Sequence, residues 1–221
     1  MIDDLGNDAA AVERIARWPY AVTGAVLPEL PGSAAAARRL ARSGKEVLLH
    51  LPMEPKGFPE VRPGPGAVLR SQSEEEIVRT LAGDLDTVPG AIGVNNHMGS
   101  ALTTDRDAMD AVMTALRERG LYFVDSRTSA DSTGFAVARE MGMPAAERQV
   151  FLDDDPEPAA IREEFSRLRD LAASRGAAIA IAHPRATTLE VLREEVPRAL
   201  ADGYVFVPVS FLLERPSVPL E

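Results

Sequence analysis

All three histidines of this chain lie where an apolar run typical of a β-strand stops. His50 lies in EVLLHL, His97 follows AIGVNN, and His183 follows AAIAIA. A further polar pair, Asp3-Asp4, opens the chain in MIDDLG. Side chains at the carboxyl ends of parallel strands face one shared crevice. Imidazoles and carboxylates gathered there are the ligand types of a catalytic divalent metal. The residue types therefore predict a metal site at one end of an α/β fold.

The aspartate pair has two interpretations. Neighbouring residues on a strand face opposite sides, so Asp3 and Asp4 reach one site only if the strand ends there and the chain turns. Leu5-Gly6 supplies such a turn. One carboxylate can then bind a metal while the other accepts a proton. The alternative is that the dipeptide only caps a helix that starts near Asp8.

Polar side chains near two of the histidines extend the candidate site. Asn95, Asn96 and Ser100 belong to the run NNHMGS, which directly follows an apolar segment. Amides and hydroxyls are costly to bury there unless they line a working cleft, which favours a functional interpretation. Glu54 lies in HLPME after His50, where it either orients an imidazole or is a solvated loop residue.

Two further segments end on polar residues. Asp125 ends LYFVD and Arg127 follows it, so the arginine can hold a carboxylate ionised or clamp a substrate. A purely structural ion-pair knot remains equally open. His183 precedes Pro184, whose ring favours an extended conformation before it. Asp153, at the end of a neighbouring run, is interpreted only as a helix cap and left outside the site.

Strand-like and helix-like segments alternate along the whole chain. Ser73 with Glu76 predicts a capping box, and Thr104 starts a helical run that Gly120 ends. Pro197 is expected to kink or end a late helix. Eight strands are predicted, several of them nearly continuous apolar runs of the kind buried on both faces: the stub at Ile2 and residues 20–27, 46–51, 91–96, 121–125, 148–152, 177–182 and 204–209.

This alternation predicts an α/β fold, a (β/α) barrel of seven or eight strands, as a single domain over residues 1–221. An open doubly wound sheet is the competing architecture, but it usually carries a glycine-rich phosphate loop. Gly64-Pro65-Gly66 is the nearest candidate, and no plausible helix start follows it. The Pro- and Gly-rich stretch 54–66 is expected to line the site as a loop.

Composition excludes several classes of protein. With 24 Lys and Arg against 34 Asp and Glu, the net charge is −10, which argues against nucleic acid as a partner. There are no cysteines, so disulfides and thiolate metal sites are excluded. No apolar run approaches the roughly 20 residues that span a bilayer. No signal peptide precedes the first strand, and we expect the natural N-terminus to lie upstream.

Taken together, these motifs resemble the divergent polysaccharide deacetylases, a branch of the carbohydrate esterase superfamily. The matching signatures are IDDLG, HLPME, NNHMGS, FVDSRT and AHP, in this order from residue 2 towards residue 212. The resemblance implies a distorted barrel of about seven βα units that binds one divalent metal ion, with zinc as the expected ion.

The resemblance also implies residue roles. Asp4, His50 and His97 correspond to the metal ligands, Asp3 to the catalytic base and His183 to the general acid. The superfamily pattern places both metal histidines close together on one segment, whereas residue 54 here is glutamate. The ligand set must therefore come from different strands, and His97 and His183 can exchange roles.

The implied reaction is metal-assisted hydrolysis of an N-acetyl group on a polysaccharide or cell-wall glycan. Asn95, Asn96 and Arg127 are candidates for supporting contacts or for binding sugar hydroxyls. The alternative is a catalytically inactive protein on the same fold that binds glycan without cleaving it. A metal phosphoesterase is disfavoured, because few basic residues beyond Arg127 and Arg185 lie near the motifs. The resemblance suggests a periplasmic or extracellular setting at the cell envelope.

Overall fold

The computed structural model describes residues 1–213, which form parallel strands and helices in alternation. The strands are β1 (Ile2–Leu5), β2 (Thr23–Val26), β3 (Glu46–Met53), β4 (Gly93–Met98), β5 (Tyr122–Asp125), β6 (Ala145–Glu147), β7 (Val150–Phe151) and β8 (Ala180–Ile181). The α-helices are α1 (Ala9–Ala16), α2 (Ser33–Arg42), α3 (Glu74–Thr87), α4 (Arg106–Glu118), α5 (Gly134–Glu140), α6 (Pro158–Arg175) and α7 (Ala186–Ala201). Two 3₁₀ helices cover Leu102–Thr104 and Val209–Leu212.

The strands form a distorted ring. Strands β1 to β6 pair in sequence order in one parallel sheet, and β7 pairs with β8 in a second. The ring closes next to β1, where Ile2 bridges Ala182 and the Asp3 amide donates to the Ala182 carbonyl at 2.8 Å. On the other side, the Arg148 amide reaches the Asp125 carbonyl at 3.0 Å. The predicted α/β barrel is therefore confirmed, and the open doubly wound sheet is wrong.

Local sequence explains several element ends. The capping box at the start of α3 is confirmed, since Ser73 Oγ accepts from the Glu76 amide and Glu76 Oε2 accepts from the Ser73 amide. Asp105 caps α4, so the predicted start at Thr104 is one residue early. Asp8 caps α1 by accepting from two backbone amides. The aspartate pair at residues 3 and 4 is therefore free of the capping role considered as its alternative.

Two sequence predictions about elements are wrong, and of the two outcomes expected for Pro197 the end of the helix is excluded. Residues 204–208 form no strand, and Val209–Leu212 is a 3₁₀ helix, because the bridge between Ile2 and Ala182 already closes the ring. The short strand β6 was missed, since its sequence AAE has little β-propensity. Pro197 lies inside α7 without ending it, and the burial of Val196 and Ala199 holds this part of the helix against the core.

Candidate metal centre

Three side chains from three strands converge at the carboxyl end of the barrel. Asp4 Oδ1 lies 3.2 Å from His50 Nε2 and 2.9 Å from His97 Nδ1. The two imidazole nitrogens are 3.1 Å apart. Among the described residues this is the group whose donor atoms could hold a metal ion, with all ligand atoms within 4.8 Å of one another. The sequence-predicted ligand set is thus brought together in space.

Backbone conformation lets both aspartates face this centre. Asp4 has a φ of 54°, in the left-handed region, and Gly6 has a φ of 128°. The pairing of β1 with β2 also shifts register between Ile2 and Leu5. The alternation of side chains along β1 is broken at this point, as the predicted turn at Leu5-Gly6 requires.

Strand register places the histidines on adjacent strands. His50 pairs with Asn95 across β3 and β4, and Pro52 pairs with His97. His50 therefore lies inside β3 rather than at its end, because β3 continues to Met53. His50 is 2% exposed and Asn95 is fully buried, so their mutual contact is shielded from water.

Asn95 fixes the tautomer of His50. Its amide nitrogen donates to Asp3 Oδ2 at 2.9 Å and to Ser126 Oγ at 3.1 Å. Its oxygen therefore accepts, and His50 Nδ1 donates to it at 2.9 Å. With the proton on Nδ1, the lone pair of His50 is on Nε2, the atom that faces Asp4.

An oxygen without a partner marks the centre. Asp4 Oδ1 is buried and has no hydrogen-bond partner among residues 1–213, although two imidazole nitrogens lie within 3.2 Å. Burial raises the pKa of Asp4, but His50 and His97 outweigh it and hold that pKa well below its usual range. An ionised carboxylate oxygen with two imidazole nitrogens is a donor set that fits a divalent metal.

Asp3 lies beside the centre in a different environment. Its Oδ2 lies 3.6 Å from His50 Nε2 and accepts from Asn95, while Oδ1 is buried without a partner among the described residues. Burial raises the pKa of Asp3, and the nearby His50 opposes this rise only in part. The two neighbouring carboxyls therefore differ, with Asp4 ionised and Asp3 more ready to take up a proton.

His183 faces the centre from the opposite side of Asp4. Its Nε2 lies 3.7 Å from Asp4 Oδ2, and its Nδ1 donates to Asp153 Oδ1 at 3.0 Å. Asp153 is fully buried and also accepts from the Thr188 hydroxyl at 2.8 Å. Burial lowers the pKa of His183, but the bond to Asp153 outweighs it and raises that pKa overall.

The exclusion of Asp153 from the site is therefore wrong. The sequence signal existed, since Asp153 closely follows a strand-like run as the histidines do, but helix capping explained it equally well. Phe151 was also missed. Its ring lies 5.3 Å from that of His183, and the Arg148 guanidinium lies 4.9 Å from the Phe151 ring.

Three predicted site residues hold loops instead of contacting the centre. Asn96 accepts from the Ser126 amide at 2.8 Å and donates to the Met98 carbonyl at 2.9 Å. Ser100 Oγ accepts from the Lys56 amide at 3.0 Å. Both carboxylate oxygens of Glu54 accept from Arg70, which gives Glu54 neither of its two predicted roles. The Ser100 bond ties the loop after β3 to the loop after β4, and the Asn96 bond to Ser126 ties β4 to the loop after β5.

Asp125 and Arg127 organise the loop after β5. Asp125 accepts from the Arg127 amide at 2.8 Å, the Ser132 hydroxyl at 2.7 Å and the Phe135 amide at 3.0 Å. The Arg127 guanidinium donates to the carbonyls of Ala130 and Ser132. The Arg127 guanidinium forms its ion pair with Glu147, at 3.5 Å, rather than with Asp125, so these contacts are structural without the charge pair expected between Asp125 and Arg127.

A known protein family and a curated relative match this chain over nearly its whole length. A family model described as divergent polysaccharide deacetylase matches residues 1–213. The chain is similar to YibQ, an uncharacterized protein of Escherichia coli (strain K12), with 38% identity over 219 residues. That match covers 99% of this chain and 67% of the relative's length.

Solved structures share the fold. The crystal structure of ATU2773, an uncharacterized protein from Agrobacterium tumefaciens C58, superposes with a TM-score of 0.91 and 26% identity, covering 96% of this chain and 86% of that chain. The catalytic domain of peptidoglycan N-acetylglucosamine deacetylase from Eubacterium rectale ATCC 33656 gives 0.59 and 14%, covering 100% and 91%. BA3943 from Bacillus anthracis, a CE4 family pseudoenzyme, gives 0.54 and 17%, covering 98% and 65%. At these identities the last two show the fold alone.

Proposed function

The chain belongs to the divergent polysaccharide deacetylase family, and we propose that it is a metal-dependent hydrolase that removes N-acetyl groups from a polysaccharide or cell-wall glycan. The observation that carries the proposal is the unpartnered oxygen of Asp4 facing two imidazole nitrogens. A candidate base and a candidate acid, Asp3 and His183, lie on either side of it.

Asp4, His50 and His97 would hold one divalent ion, and zinc fits two nitrogen donors and one oxygen donor. When bound, such an ion polarises a carbonyl oxygen and lowers the pKa of water. The protein supplies a preformed site, since the three donor atoms already converge.

Asp3 is placed to act as the general base. Its Oδ1 is buried and makes no hydrogen bond within the described residues, so it is available to a proton from the attacking water. Asn95 holds the other oxygen at 2.9 Å and so orients the carboxylate. A base with a raised pKa is better matched to neutral pH than an ordinary aspartate.

His183 is placed to act as the general acid. The Asp153 carboxylate fixes a proton on Nδ1 and stabilises the imidazolium form, which carries a second proton on Nε2. Transfer of that proton to the departing nitrogen gives the free amine of the sugar, while the acyl group leaves as acetate. A base and an acid on opposite sides of one centre match the two proton transfers that amide hydrolysis requires.

The alternative of a glycan-binding protein without activity is less well supported. Binding alone does not require a buried carboxylate with a free oxygen, nor a histidine held by a buried aspartate. Asp3 and Asp153 are 2% and 0% exposed, and buried carboxyl groups whose pKa values are shifted in opposite directions are typical of functional sites. We further propose an envelope or extracellular setting, where glycan substrates occur. Among the described residues, no helix has the length and apolar character needed to cross a bilayer.

One experiment tests the proposal. The purified protein is analysed for bound metal, and acetate release is measured from chitooligosaccharides and peptidoglycan fragments. Asp3→Asn keeps the shape of the side chain but removes the base, so it should retain metal and lose activity. Bound metal without acetate from any N-acetylated glycan would contradict the hydrolase and favour the binding protein.

A further inference from the structure

A cavity of about 150 Å³ lies at the opposite end of the barrel from the candidate metal centre. Residues that precede β2 and β8, such as Ala21 and Ala178, line it, so it opens at the amino ends of the strands. Its other walls come from α6, α7 and the segment 204–209. A void of this size is unusual in a close-packed interior.

Aromatic side chains form much of the lining. The rings of Trp18 and Tyr20 stack with their centroids 5.3 Å apart, and Tyr20 lies 6.0 Å from Phe206. Phe165 and Tyr204 face the same space. Walls of this kind favour a hydrocarbon ligand over a polar one.

Two polar atoms in the lining lack a hydrogen-bond partner among the described residues, the Tyr20 hydroxyl and Arg169 Nε. Tyr20 is 9% exposed, and its hydroxyl is buried without a hydrogen bond to any residue in 1–213. Burial raises the pKa of this hydroxyl, so it keeps its proton and can donate. Buried tyrosine hydroxyls usually find a partner, so this one is available to a ligand.

The positively charged groups near the cavity already have polar partners, except at Arg169 Nε. The Arg169 guanidinium pairs with Asp202 at 2.6 Å and lies 5.0 Å from the Tyr204 ring. The Lys45 ammonium donates to the carbonyl oxygens of Trp18 and Tyr20. An anionic ligand would have to compete with Asp202 for Arg169 while losing its own hydration.

One wall offers a way in. Within the described chain, no backbone hydrogen bond holds residues 205–207. Val205 is 79% exposed, whereas Phe206 packs against the core. Displacing this wall would therefore break packing contacts and no backbone hydrogen bond.

We propose that this cavity binds an uncharged, largely hydrocarbon molecule of about the size of benzene, carrying one oxygen that accepts a hydrogen bond from Tyr20. An apolar cavity of about 150 Å³ in another protein binds benzene, so the volume is sufficient for one ring. This site is separate from the metal centre, and the proposal does not depend on any hydrolase activity.

Trp18 provides a direct readout, since it is the one tryptophan of the chain and lines the cavity. Its emission is followed during titration with cyclohexanol and with methylcyclohexane, a ring of similar size without the hydroxyl. We expect a saturable change with cyclohexanol. Tyr20→Phe should weaken cyclohexanol binding about fivefold, as the loss of one hydrogen bond predicts, and leave methylcyclohexane unaffected.

A plugging variant tests the location. Ala172→Phe on α6 places a ring in the cavity and should weaken both probes by at least about tenfold, whereas Ala173→Phe on the exposed side of the same helix should not. Matching melting temperatures of the two variants show that the loss reflects the cavity. If Ala172→Phe does not fold, Tyr20→Phe decides alone. A linear, non-saturable response, or equal loss of both probes in Tyr20→Phe, would overturn the proposal.

Discussion

Replacing Asn95 by leucine tests whether the metal centre depends on its supporting hydrogen bonds. Leucine has the same branched side-chain shape as asparagine but removes the bonds to His50 Nδ1, Asp3 Oδ2 and Ser126 Oγ. All three partners are buried and lose this bond, and each loss costs roughly 1–3 kcal/mol of folding stability. His50 also loses the bond that keeps its Nε2 lone pair facing Asp4.

The substitution is also expected to weaken the binding of the metal ion. Losing a partner that orients a metal-binding histidine typically weakens metal affinity by about 10- to 100-fold, or roughly 1.4–2.7 kcal/mol. Calorimetric titration of the metal-free protein with Zn²⁺ measures this directly. By linkage, the rise in melting temperature at saturating zinc should shrink in proportion.

Two further variants separate the loss of folding stability from the loss of zinc affinity. Asn96→Leu is a matched control, because Asn96 is 1% exposed but bonds the Met98 carbonyl and the Ser126 amide instead of a ligand. It should lose stability and keep its zinc affinity. Asn95→Asp retains an acceptor for His50 Nδ1 and should also keep zinc affinity, while its charge beside Asp3 destabilises the fold. Unchanged zinc affinity in Asn95→Leu, or an equal loss in Asn96→Leu, would refute the reasoning.

Three other outcomes are expected. Asp153→Asn removes the charge that holds His183 protonated, so kcat for deacetylation should fall by roughly a hundredfold or more while zinc affinity, measured by calorimetry, is retained. His97→Ala removes one of three ligands and should lower the zinc content of the purified protein, whereas full occupancy would exclude it as a ligand. Asp84 is fully buried without a partner among the described residues, and burial raises its pKa to about 8. The folded state therefore binds this proton more tightly than the unfolded chain, and stability falls as pH rises from about 4 to 8, by on the order of 5 kcal/mol. Asp84→Asn should remove this fall. Urea unfolding of both proteins at pH 5 and pH 8.5 measures it, and an equal change in unfolding free energy between the two pH values in both proteins would contradict the prediction.

The ring architecture could be predicted from sequence because its strands are long apolar runs separated by helices with readable caps. The segment 204–209 shows the limit of that approach. Its apolar residues resemble a strand, but a strand also needs a free sheet edge to pair with. The bridge between Ile2 and Ala182 closes the ring, so no edge is available to this segment. The opposite error concerns β6, whose alanines form a strand by pairing with β5 at the edge of the sheet rather than through propensity.

The candidate ligands could be predicted because metal chemistry restricts residue types. Asp153 could not be assigned, because capping and histidine orientation use the same carboxylate at the same kind of position. Glu54 shows the converse. Its closeness in sequence to His50 suggested a partnership, but the loop after β3 turns its carboxylate to Arg70. Contacts between separate loops are not encoded in local spacing.

The most direct test of the central claim is a crystal structure of the zinc-soaked protein with anomalous data collected at the zinc edge. The account predicts a single strong peak bonded to Asp4 Oδ1, His50 Nε2 and His97 Nδ1 at about 2.0–2.2 Å. A peak elsewhere, or none at a zinc concentration that saturates the calorimetric titration, would contradict it.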